Sequence, residues 1–478
     1  MKSVKGIIQL YWGVIIVIVL TPLLLYGVLQ IMPTHDDWFS MTTPDFRPFF
    51  IKEHFLFYGY HWRPFDTWIG YVAGRNPQLL YPTWNHCLVI LGHLLCSIAI
   101  FKLLEKLGFN HIVKNIVTLF FFVMPATMAT VTAVDSQNQV FALLVGIIAF
   151  LIYIKPKSTK YYLWVPLIFL ATLCKENGLM WAFICPILAF GFDFIDKKTI
   201  KKDIIIGIGI VMVYALTIIL LPKNIIIHPD YEPGILKVVD NTIKFLFTSF
   251  VTVDYIYLLH APNRNLLLAI VSLLLTLPFF YFIFIKKHRL LIEKKMMATI
   301  ICLIIAVGPH LLTVFSMMHT YAGLVFVCII IANTIQNYQQ QSIKPLIISF
   351  ILFLTASIAI DGHLIHESIK SGLVGKTMSQ EAIEKTGKPV KSVYVIIIED
   401  NYPKLSSFCV IPNEAFGWGR AAQYETNYQW PEEIRDTTIA CSNNAKQNAL
   451  ELSSKILNNT EYNCVWIINH KDIDVVKK

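Results

Sequence analysis

Charged residues are scarce in this chain of 478 amino acids: they make up 15% of it, whereas hydrophobic residues make up 55%. Soluble proteins average about 25% charged residues, and the mean hydropathy here is +0.58. An ordinary soluble domain is therefore excluded, and we expect a polytopic membrane protein in contact with membrane lipid. The net charge of +9 does not indicate a nucleic-acid partner, because the basic residues cluster in short segments between apolar runs.

Several features that define other classes are also missing. The nine cysteines form no CxxC pair, and the chain contains no internal repeat or low-complexity tract. Most cysteines lie in or beside apolar runs, where they behave as small buried hydrophobic residues. Cys409, Cys441 and Cys464 lie in the polar tail, which allows one disulfide and one free thiol. No small-residue cleavage site follows the first apolar run, so we interpret this run as a retained helix.

Long apolar runs recur through the first three quarters of the chain. A helix of about 20 residues, at about 1.5 Å per residue, crosses about 30 Å of hydrocarbon. These runs predict an all-α membrane domain of about eleven transmembrane helices over residues 1–361. The runs are 7–31, 81–101, 115–133, 139–154, 161–174, 177–192, 204–221, 265–285, 296–317, 321–335 and 345–361.

Basic residues lie in alternate connections between these runs. They precede the first run at 2–5, lie at 102–114 between the second and third runs, follow the fourth and sixth runs at 155–160 and 197–202, and follow the eighth at 286–295. Cytoplasmic loops of membrane proteins carry such an excess of lysine and arginine. We therefore expect a multi-pass protein of the cell (inner) membrane with a cytoplasmic N-terminus, and with the remaining connections on the external face.

The tail from residue 362 to residue 478 has a different character, because its share of charged residues rises. The segments 391–398 and 464–469 predict β-strands, since they are rich in β-branched and aromatic residues. The segment 442–457 predicts a helix that begins at a Ser-Asn cap. We expect a small external α/β domain of about 100 residues, which is an ordinary domain size.

Two adjacent carboxylates, Asp36 and Asp37, closely follow the first apolar run. A partly desolvated carboxylate gains basicity and can accept a proton from a hydroxyl, so the pair is a candidate catalytic base. Two carboxylates could also hold a divalent cation, although we expect no obligatory metal and assign no metal ligand. The alternative is a solvated acidic helix end, with Pro33 and Thr34 ending the first helix.

Lys175 and Glu176 occupy a break between two apolar runs that are joined by almost no loop. A charge in the middle of a membrane helix costs about 2.5–3.5 kcal/mol, so this pair should have a partner or a task. A lysine can hold a phosphate as a point charge, while Glu176 can orient the lysine or pair with another cation. Arg63 can grip a phosphate with two nitrogens. The alternatives are a self-neutralising pair and an arginine that reaches lipid headgroups.

Further polar residues on the predicted external side could line a substrate cavity. His86 and His93 are seven residues apart and share a helix face, with Asn85 beside His86. The alternative for a histidine in an apolar helix is a hydrogen-bonded core group. Asp135 and Gln137 could bind sugar hydroxyls or form a simple polar turn. The other cavity candidates are His61, His310, His319 and Tyr321.

Four blocks between roughly residues 10 and 190 carry a family resemblance. They are Asp36-Asp37, Trp62-Arg63-Pro64 with the run Tyr81, Asn85 and His93, the turn VTAVDSQ at 131–137, and Cys174-Lys175-Glu176-Asn177-Gly178. In this order they resemble the GT-C superfamily of integral-membrane glycosyltransferases. Within it, they look most like the protein O-mannosyltransferases and their bacterial and tetratricopeptide-linked relatives.

The resemblance implies a GT-C-like fold and a sugar donor linked to polyprenyl phosphate. It implies transfer of the sugar to an acceptor hydroxyl on the external face, with inversion at the anomeric carbon. Asp36 or Asp37 would be the general base, and Arg63 and Lys175 would bind the donor phosphate.

The chain departs from the family pattern in three places. Ala133 and Gln137 stand where a tryptophan and an arginine are often found, and His319-Thr320-Tyr321 stands where many relatives have an Arg-Tyr pair. No tetratricopeptide repeats follow the last apolar run. These departures leave the sugar and the acceptor, a protein or a glycan, open.

Two other functions are also left open by the sequence. A non-enzymatic flippase or carrier of a lipid-linked glycan would show two similar halves and polar breaks in mid-membrane, whereas the polar groups here concentrate on one predicted face. A polysaccharide polymerase or ligase would have external arginines as its dominant charges, whereas acidic groups share the site here.

Overall fold

The computed structural model describes residues 4–38, 63–65, 72, 76–155, 161–220, 234–253, 263–282, 293–312, 315–338, 344–399, 411–459 and 461–478. Three residues singled out in the sequence, His61, Trp62 and Cys409, lie outside these ranges. The side chain of Asp36 also lies outside what the structure describes, although its backbone belongs to a described turn.

Helices form most of the described chain. They are α1 (Val4–Val28), α2 (Thr83–Lys106), α3 (His111–Val123), α4 (Pro125–Val131), α5 (Gln137–Tyr153), α6 (Trp164–Cys174), α7 (Trp181–Gly191), α8 (Lys197–Leu220), α9 (Ile235–Phe250), α10 (Asn263–Phe280), α11 (Lys294–Leu311), α12 (Thr320–Tyr338) and α13 (Lys344–Thr386).

Within the described residues, seven helices are long and apolar enough to cross a membrane, or eight if α3 and α4 together form one bent span. These helices are those of a polytopic membrane protein. Three further predicted runs form shorter apolar helices, at Trp164–Cys174, Glu176–Gly191 and Leu266–Phe280. Eleven residues of helix extend only about 16 Å, so α6 is too short to cross about 30 Å of hydrocarbon alone. Not all of the eleven predicted runs therefore form helices that are long enough to cross the membrane alone.

The bend of 53° between α3 and α4 follows from the local sequence. Pro125 has no backbone N–H and restricts the residue before it to extended conformations. Met124 accordingly has φ −71° and ψ 120°, and α3 ends at Val123. Pro125 then begins α4 in the first helical position, where its missing N–H costs nothing.

The helices have two chemically different ends. At one end, which we call the polar end, the chain segments 31–38, 131–137, 174–180, 311–312 and 315–320 meet. At the other end, Asp193 pairs with Lys294 at 2.5 Å. The segments of the polar end all belong to connections predicted to be external, and the described basic residues at 197–202 and 294–295 lie toward the opposite end. The side of the membrane that each end faces stays a prediction.

A buried asparagine ties α1 to α3. Tyr11 has non-helical dihedral angles (φ −128°, ψ 17°), so the helix is interrupted before Gly13. The Gly13 N–H donates to Asn115 Oδ1 at 2.7 Å, and Asn115 Nδ2 donates back to the Leu10 carbonyl at 3.0 Å. A Cβ atom on Gly13 would lie 2.6 Å from the Asn115 carbonyl oxygen, so the two backbones approach closely only because residue 13 is glycine.

The C-terminal part forms a small α/β domain, as the sequence predicts. After α13, its elements are β1 (Ser392–Ile398), α14 (Arg420–Glu425), β2 (Glu433–Ile439), α15 (Ala445–Asn459), β3 (Cys464–Asn469) and β4 (Asp472–Lys477). The sheet has the order β2-β1-β3-β4, with β1 parallel to β2 and β3, and β4 antiparallel to β3. Helices α13 and α14 cover one face of the sheet, and α15 covers the other.

One continuous helix joins the two parts of the molecule. Helix α13 runs without interruption from Lys344 to Thr386, so the predicted domain boundary at residue 361 falls inside it. In the domain that follows, Cys441 is exposed and Cys464 is buried, and both are free thiols. These two cysteines therefore form no disulfide with each other.

We expect Gly13→Ala to lower the thermal unfolding midpoint of the purified protein, because the added methyl group would collide with the backbone at Asn115. The matched control is Gly209→Ala in α8, where nothing lies within 4 Å of the added Cβ. Alanine exceeds glycine in helix propensity by up to about 1 kcal/mol, so the control should be neutral or slightly stabilising. Equal midpoints for the two variants would contradict the close approach of α1 and α3.

Candidate functional site

The first polar turn is organised by the carboxylate of Asp37. Residues His35–Trp38 form one turn of 3-10 helix after the end of α1. Asp37 is 5% exposed. Its Oδ2 accepts from the backbone N–H of Thr34, and its Oδ1 accepts from the backbone N–H of Asp135, both at 3.2 Å. Asp37 thus closes its own turn and joins it to a second turn.

The second turn, Val134–Ser136, begins α5 and is held by neighbouring amides. Asn138 Nδ2 donates to the Asp135 carbonyl at 2.9 Å. Asn85 Nδ2, from the first turn of α2, donates to Gln137 Oε1 at 3.1 Å. The predicted residues Asn85, Asp135 and Gln137 therefore form one polar group with Asp37.

The break between α6 and α7 brings a lysine to the same end. Lys175 is extended (φ −157°, ψ 145°) and ends α6. A Cβ atom on Gly178 would lie 2.4 Å from the Ala171 carbonyl oxygen, so the break packs tightly on the preceding helix. With its amide nitrogen turned toward the Met318 carbonyl (3.0 Å), Gln139 accepts from Lys175 Nζ at 3.1 Å. Gln139 thus links the lysine to the segment that precedes α12.

Glu176 pairs with Arg63 and leaves Lys175 to other partners. Arg63 Nε lies 3.0 Å from both carboxylate oxygens of Glu176, and Arg63 Nη2 lies 2.8 Å from Oε2. Both side chains are partly buried, where such a two-nitrogen pair is well defined in geometry. Glu176 was expected either to orient Lys175 or to pair with another cation, and in the structure it pairs with Arg63.

Two histidines complete the arrangement beside the cations. The rings of His310 and His319 stack with centroids 4.5 Å apart and planes 14° apart. His319 Nδ1 accepts from the backbone N–H of Ser316 at 3.2 Å, which leaves its proton on Nε2. The charge of Lys175 acts on both rings, and the charges of Arg63 and Glu176 act on His310.

A single turn of α5 separates the acidic and basic groups. Asp135 and Gln139 are four residues apart, which is about 6 Å along a helix. Asp37 bonds to the first of these residues and Lys175 to the second. Carboxylates, an ammonium group and the Arg63–Glu176 pair therefore share one polar region. It can accept a proton on one side and hold an anion on the other.

His93 and Tyr321 belong to the closed core of the helical bundle. Both are fully buried. His93 Nε2 donates to the Phe122 carbonyl at 3.1 Å, and Nδ1 accepts from the Tyr321 hydroxyl at 2.9 Å. Their expected place in a substrate cavity is thus replaced by a hydrogen-bonded pair among aromatic rings. His93 shares a helix face with His86, as expected, but at His93 this face is packed against other helices.

His86 contacts the backbone that leads into the acidic turn. Its Nε2 donates to the Ile31 carbonyl at 3.1 Å, just before the acidic turn. Its Nδ1 and the Oδ1 of Asn85 are buried and have no hydrogen-bond partner in the chain as described. Both side chains are buried, with Asn85 3% and His86 1% exposed.

Sequence reasoning missed the residues that anchor the turn. Tyr81 donates its hydroxyl hydrogen to the Asp37 carbonyl at 2.7 Å. Burial, and then the charge of Asp37, raise the pKa of Tyr81 well above its ordinary value, so the hydroxyl stays a neutral donor. Trp38 is buried against the C-terminal domain. In the sequence, Tyr81 stands out only as the start of a run in the family resemblance, and Trp38 only as the residue after the acidic pair.

Asp37 and Asp135, in two turns joined by a hydrogen bond, are the carboxylates to consider as ligands of a divalent cation. The described part of the chain contains no group of three or more histidine, cysteine, aspartate or glutamate side chains that could hold a metal ion. A cation at Asp37 would have to compete with the two backbone N–H groups already bonded to its oxygens.

No protein-family model, curated protein or solved structure matches this chain. The polar region therefore has to be interpreted from its own residues.

We expect Asp37→Ala to lower the thermal unfolding midpoint, because it leaves the N–H groups of Thr34 and Asp135 without their acceptor. Each buried donor left unpaired costs about 1–3 kcal/mol. Asp37→Asn keeps one acceptor oxygen and should lose less stability than Asp37→Ala. Asp240→Ala, which removes an exposed carboxylate on α9, is the control. Equal midpoints for Asp37→Ala and Asp240→Ala would contradict the hydrogen bonds from Thr34 and Asp135 to Asp37.

Proposed function

We propose that this protein is a membrane glycosyltransferase of the GT-C type. It would transfer a hexose from a polyprenyl-phosphate-linked donor to an acceptor hydroxyl at the membrane surface, with inversion at the anomeric carbon. The observation that supports the proposal most is the meeting, at one end of the helices, of an acidic turn and two cations from distant parts of the chain.

The location of the polar region suits a donor of this kind. A polyprenyl tail stays in hydrocarbon, so the sugar and phosphate attached to it are held at the membrane surface. The polar region lies at the ends of helices that are long enough to span a membrane. An enzyme that holds both reactants at this level gains much of its rate enhancement from their positioning.

The two aspartates are assigned different roles. Both carboxylate oxygens of Asp37 already accept backbone N–H groups, so a proton from the acceptor would have to displace one of these donors. We therefore assign the positioning of the turn to Asp37 and proton abstraction to Asp36, its neighbour in the same turn. The acceptor oxygen would lose its proton to Asp36 while it forms the new bond to the anomeric carbon.

The cations are assigned to the leaving group. As the acceptor oxygen attacks from the opposite face, the bond between the anomeric carbon and the phosphate oxygen breaks, and its electron pair leaves with the lipid phosphate. Lys175 supplies a point charge for this phosphate. Arg63 adds a second positive charge, and Glu176 fixes the orientation of its guanidinium group.

We expect Asp36→Asn to lower kcat for sugar transfer by about 100-fold or more, since general base catalysis contributes about 10²–10⁴ in rate. The assay follows release of polyprenyl phosphate from a radiolabelled polyprenyl-phosphate hexose, with the full-length protein in liposomes. Asp193→Asn, the same change at the opposite end of the helices, should keep wild-type activity. Full activity of Asp36→Asn would refute the assigned base, and translocation of the donor without any release would indicate a carrier.

We expect Lys175→Gln to weaken binding of polyprenyl phosphate by about 10-fold or more, because a hydrogen bond to a charged group contributes about 1.5–3 kcal/mol. Binding can be measured by titrating the lipid phosphate into protein in nanodiscs. The control is Lys197→Gln at the exposed start of α8. Unchanged affinity of Lys175→Gln would remove the lysine from the phosphate site.

A further inference from the structure

The acidic turn is inserted into the C-terminal domain through Trp38. This residue directly follows Asp37 and is 2% exposed. Its Nε1 donates to the Ala415 carbonyl at 3.2 Å, and its ring packs against that of Tyr424 with centroids 5.7 Å apart. A side chain from the membrane part is therefore part of the apolar core of the C-terminal domain.

The place for this indole is shaped by a glycine turn. Gly417 has φ +59°, and a Cβ atom on it would lie 2.4 Å from Trp38 Cδ1 and 2.7 Å from its Cγ. Trp418, the next residue, is also left-handed (φ 52°), a conformation that costs a non-glycine residue about 1–3 kcal/mol. The turn thus has an unfavourable backbone conformation at the residues that contact Trp38.

A second connection runs through two tyrosines. Tyr424, on α14, donates its hydroxyl hydrogen to the Tyr81 carbonyl at 3.0 Å. Tyr81 in turn donates its own hydroxyl hydrogen to the Asp37 carbonyl at 2.7 Å. The C-terminal domain therefore fixes the turn at two consecutive residues, at the backbone of Asp37 and at the side chain of Trp38.

Helix α13 holds both partners of this contact. A Cβ atom on Gly372 would lie 2.6 Å from Met32 Cβ, and one on Gly375 would lie 2.1 Å from the Ala415 carbonyl oxygen. The two glycines are three residues apart and share a face of the helix. The segment that leads into the acidic turn and the acceptor of the Trp38 hydrogen bond thus pack next to each other on one helix.

From these contacts we propose that the C-terminal domain positions the acidic turn for catalysis, with Trp38, Tyr81 and Tyr424 as positioning residues. The catalytic consequence rests on the proposed function, whereas the placement of the turn can be measured without it. A displacement of about 1 Å at a reacting group can cost about 100-fold in rate. Loosening this contact should therefore lower kcat and leave binding of the lipid phosphate intact.

The first test substitutes glycines in the full-length protein. Gly417→Ala should lower kcat by about 10- to 100-fold, with affinity for polyprenyl phosphate unchanged within about twofold. Gly387→Ala is the matched control, because Gly387 is also left-handed (φ +70°) and has no atom closer than 3.8 Å to an added Cβ. The control pays the same backbone cost without touching Trp38, so it should keep kcat near that of the wild type.

The second test removes one hydroxyl from the tyrosine connection. Tyr424→Phe keeps the ring against Trp38 and loses the bond to Tyr81, and we expect kcat to fall by about 3- to 10-fold. Tyr462→Phe loses a comparable bond to Glu433 within the same domain and should be silent. Wild-type kcat in both Gly417→Ala and Tyr424→Phe would overturn the proposal.

Amide hydrogen exchange separates failure of this proposal from failure of the proposed function. Gly417→Ala should speed exchange of the amides of Asp37 and Asp135, which are hydrogen-bonded in the two turns. Gly387→Ala should leave both amides at wild-type rates. Faster exchange in a protein that transfers no sugar would support the positioning of the turn and refute the transferase. Unchanged exchange in an active Gly417→Ala variant would overturn the positioning and leave the transferase standing.

Discussion

The hydrogen bond from the Asp135 backbone to the Asp37 carboxylate joins two turns that are 98 residues apart in sequence. Without it, the turn after α1 and the turn before α5 would be separate polar loops. A buried carboxylate is stable only when its oxygens are bonded, and here backbone N–H groups supply that stabilisation. The remaining polar contacts extend from this bond, through Gln137 to α2 and through Gln139 to Lys175.

Local sequence determines where helices stop, and the stops determine where charges can lie. Pro125 ends α3, and the extended Lys175 ends α6 and places two charged side chains, Lys175 and Glu176, in the break before α7. The Arg63–Glu176 pair lies at this second break, and both side chains are partly buried. In an apolar bundle, such helix breaks provide positions at which ionised groups avoid the cost of hydrocarbon.

Apolar runs, the charged break at Lys175 and the strands β1 and β3 could be predicted because each depends on its own segment. The strand β2 could not, because its sequence EIRDTTI is polar and it lies at the edge of the sheet. The meeting of polar side chains agrees with the predicted common side, but the partners do not follow from spacing. The pairing of Glu176 with Arg63 and of His93 with Tyr321 depends on tertiary contacts between distant segments.

Helix α13 has 43 residues, which corresponds to a rod of about 65 Å. It begins among the membrane helices and ends against the C-terminal sheet, with no flexible linker between the two. Adding one residue to such a rod would turn everything beyond it by about 100° and advance it by about 1.5 Å. The distance of the C-terminal sheet from the helical bundle and its rotation about α13 are therefore coupled. An insertion or deletion in α13 would keep the same side of the sheet toward the bundle only if it came close to a whole number of helical turns.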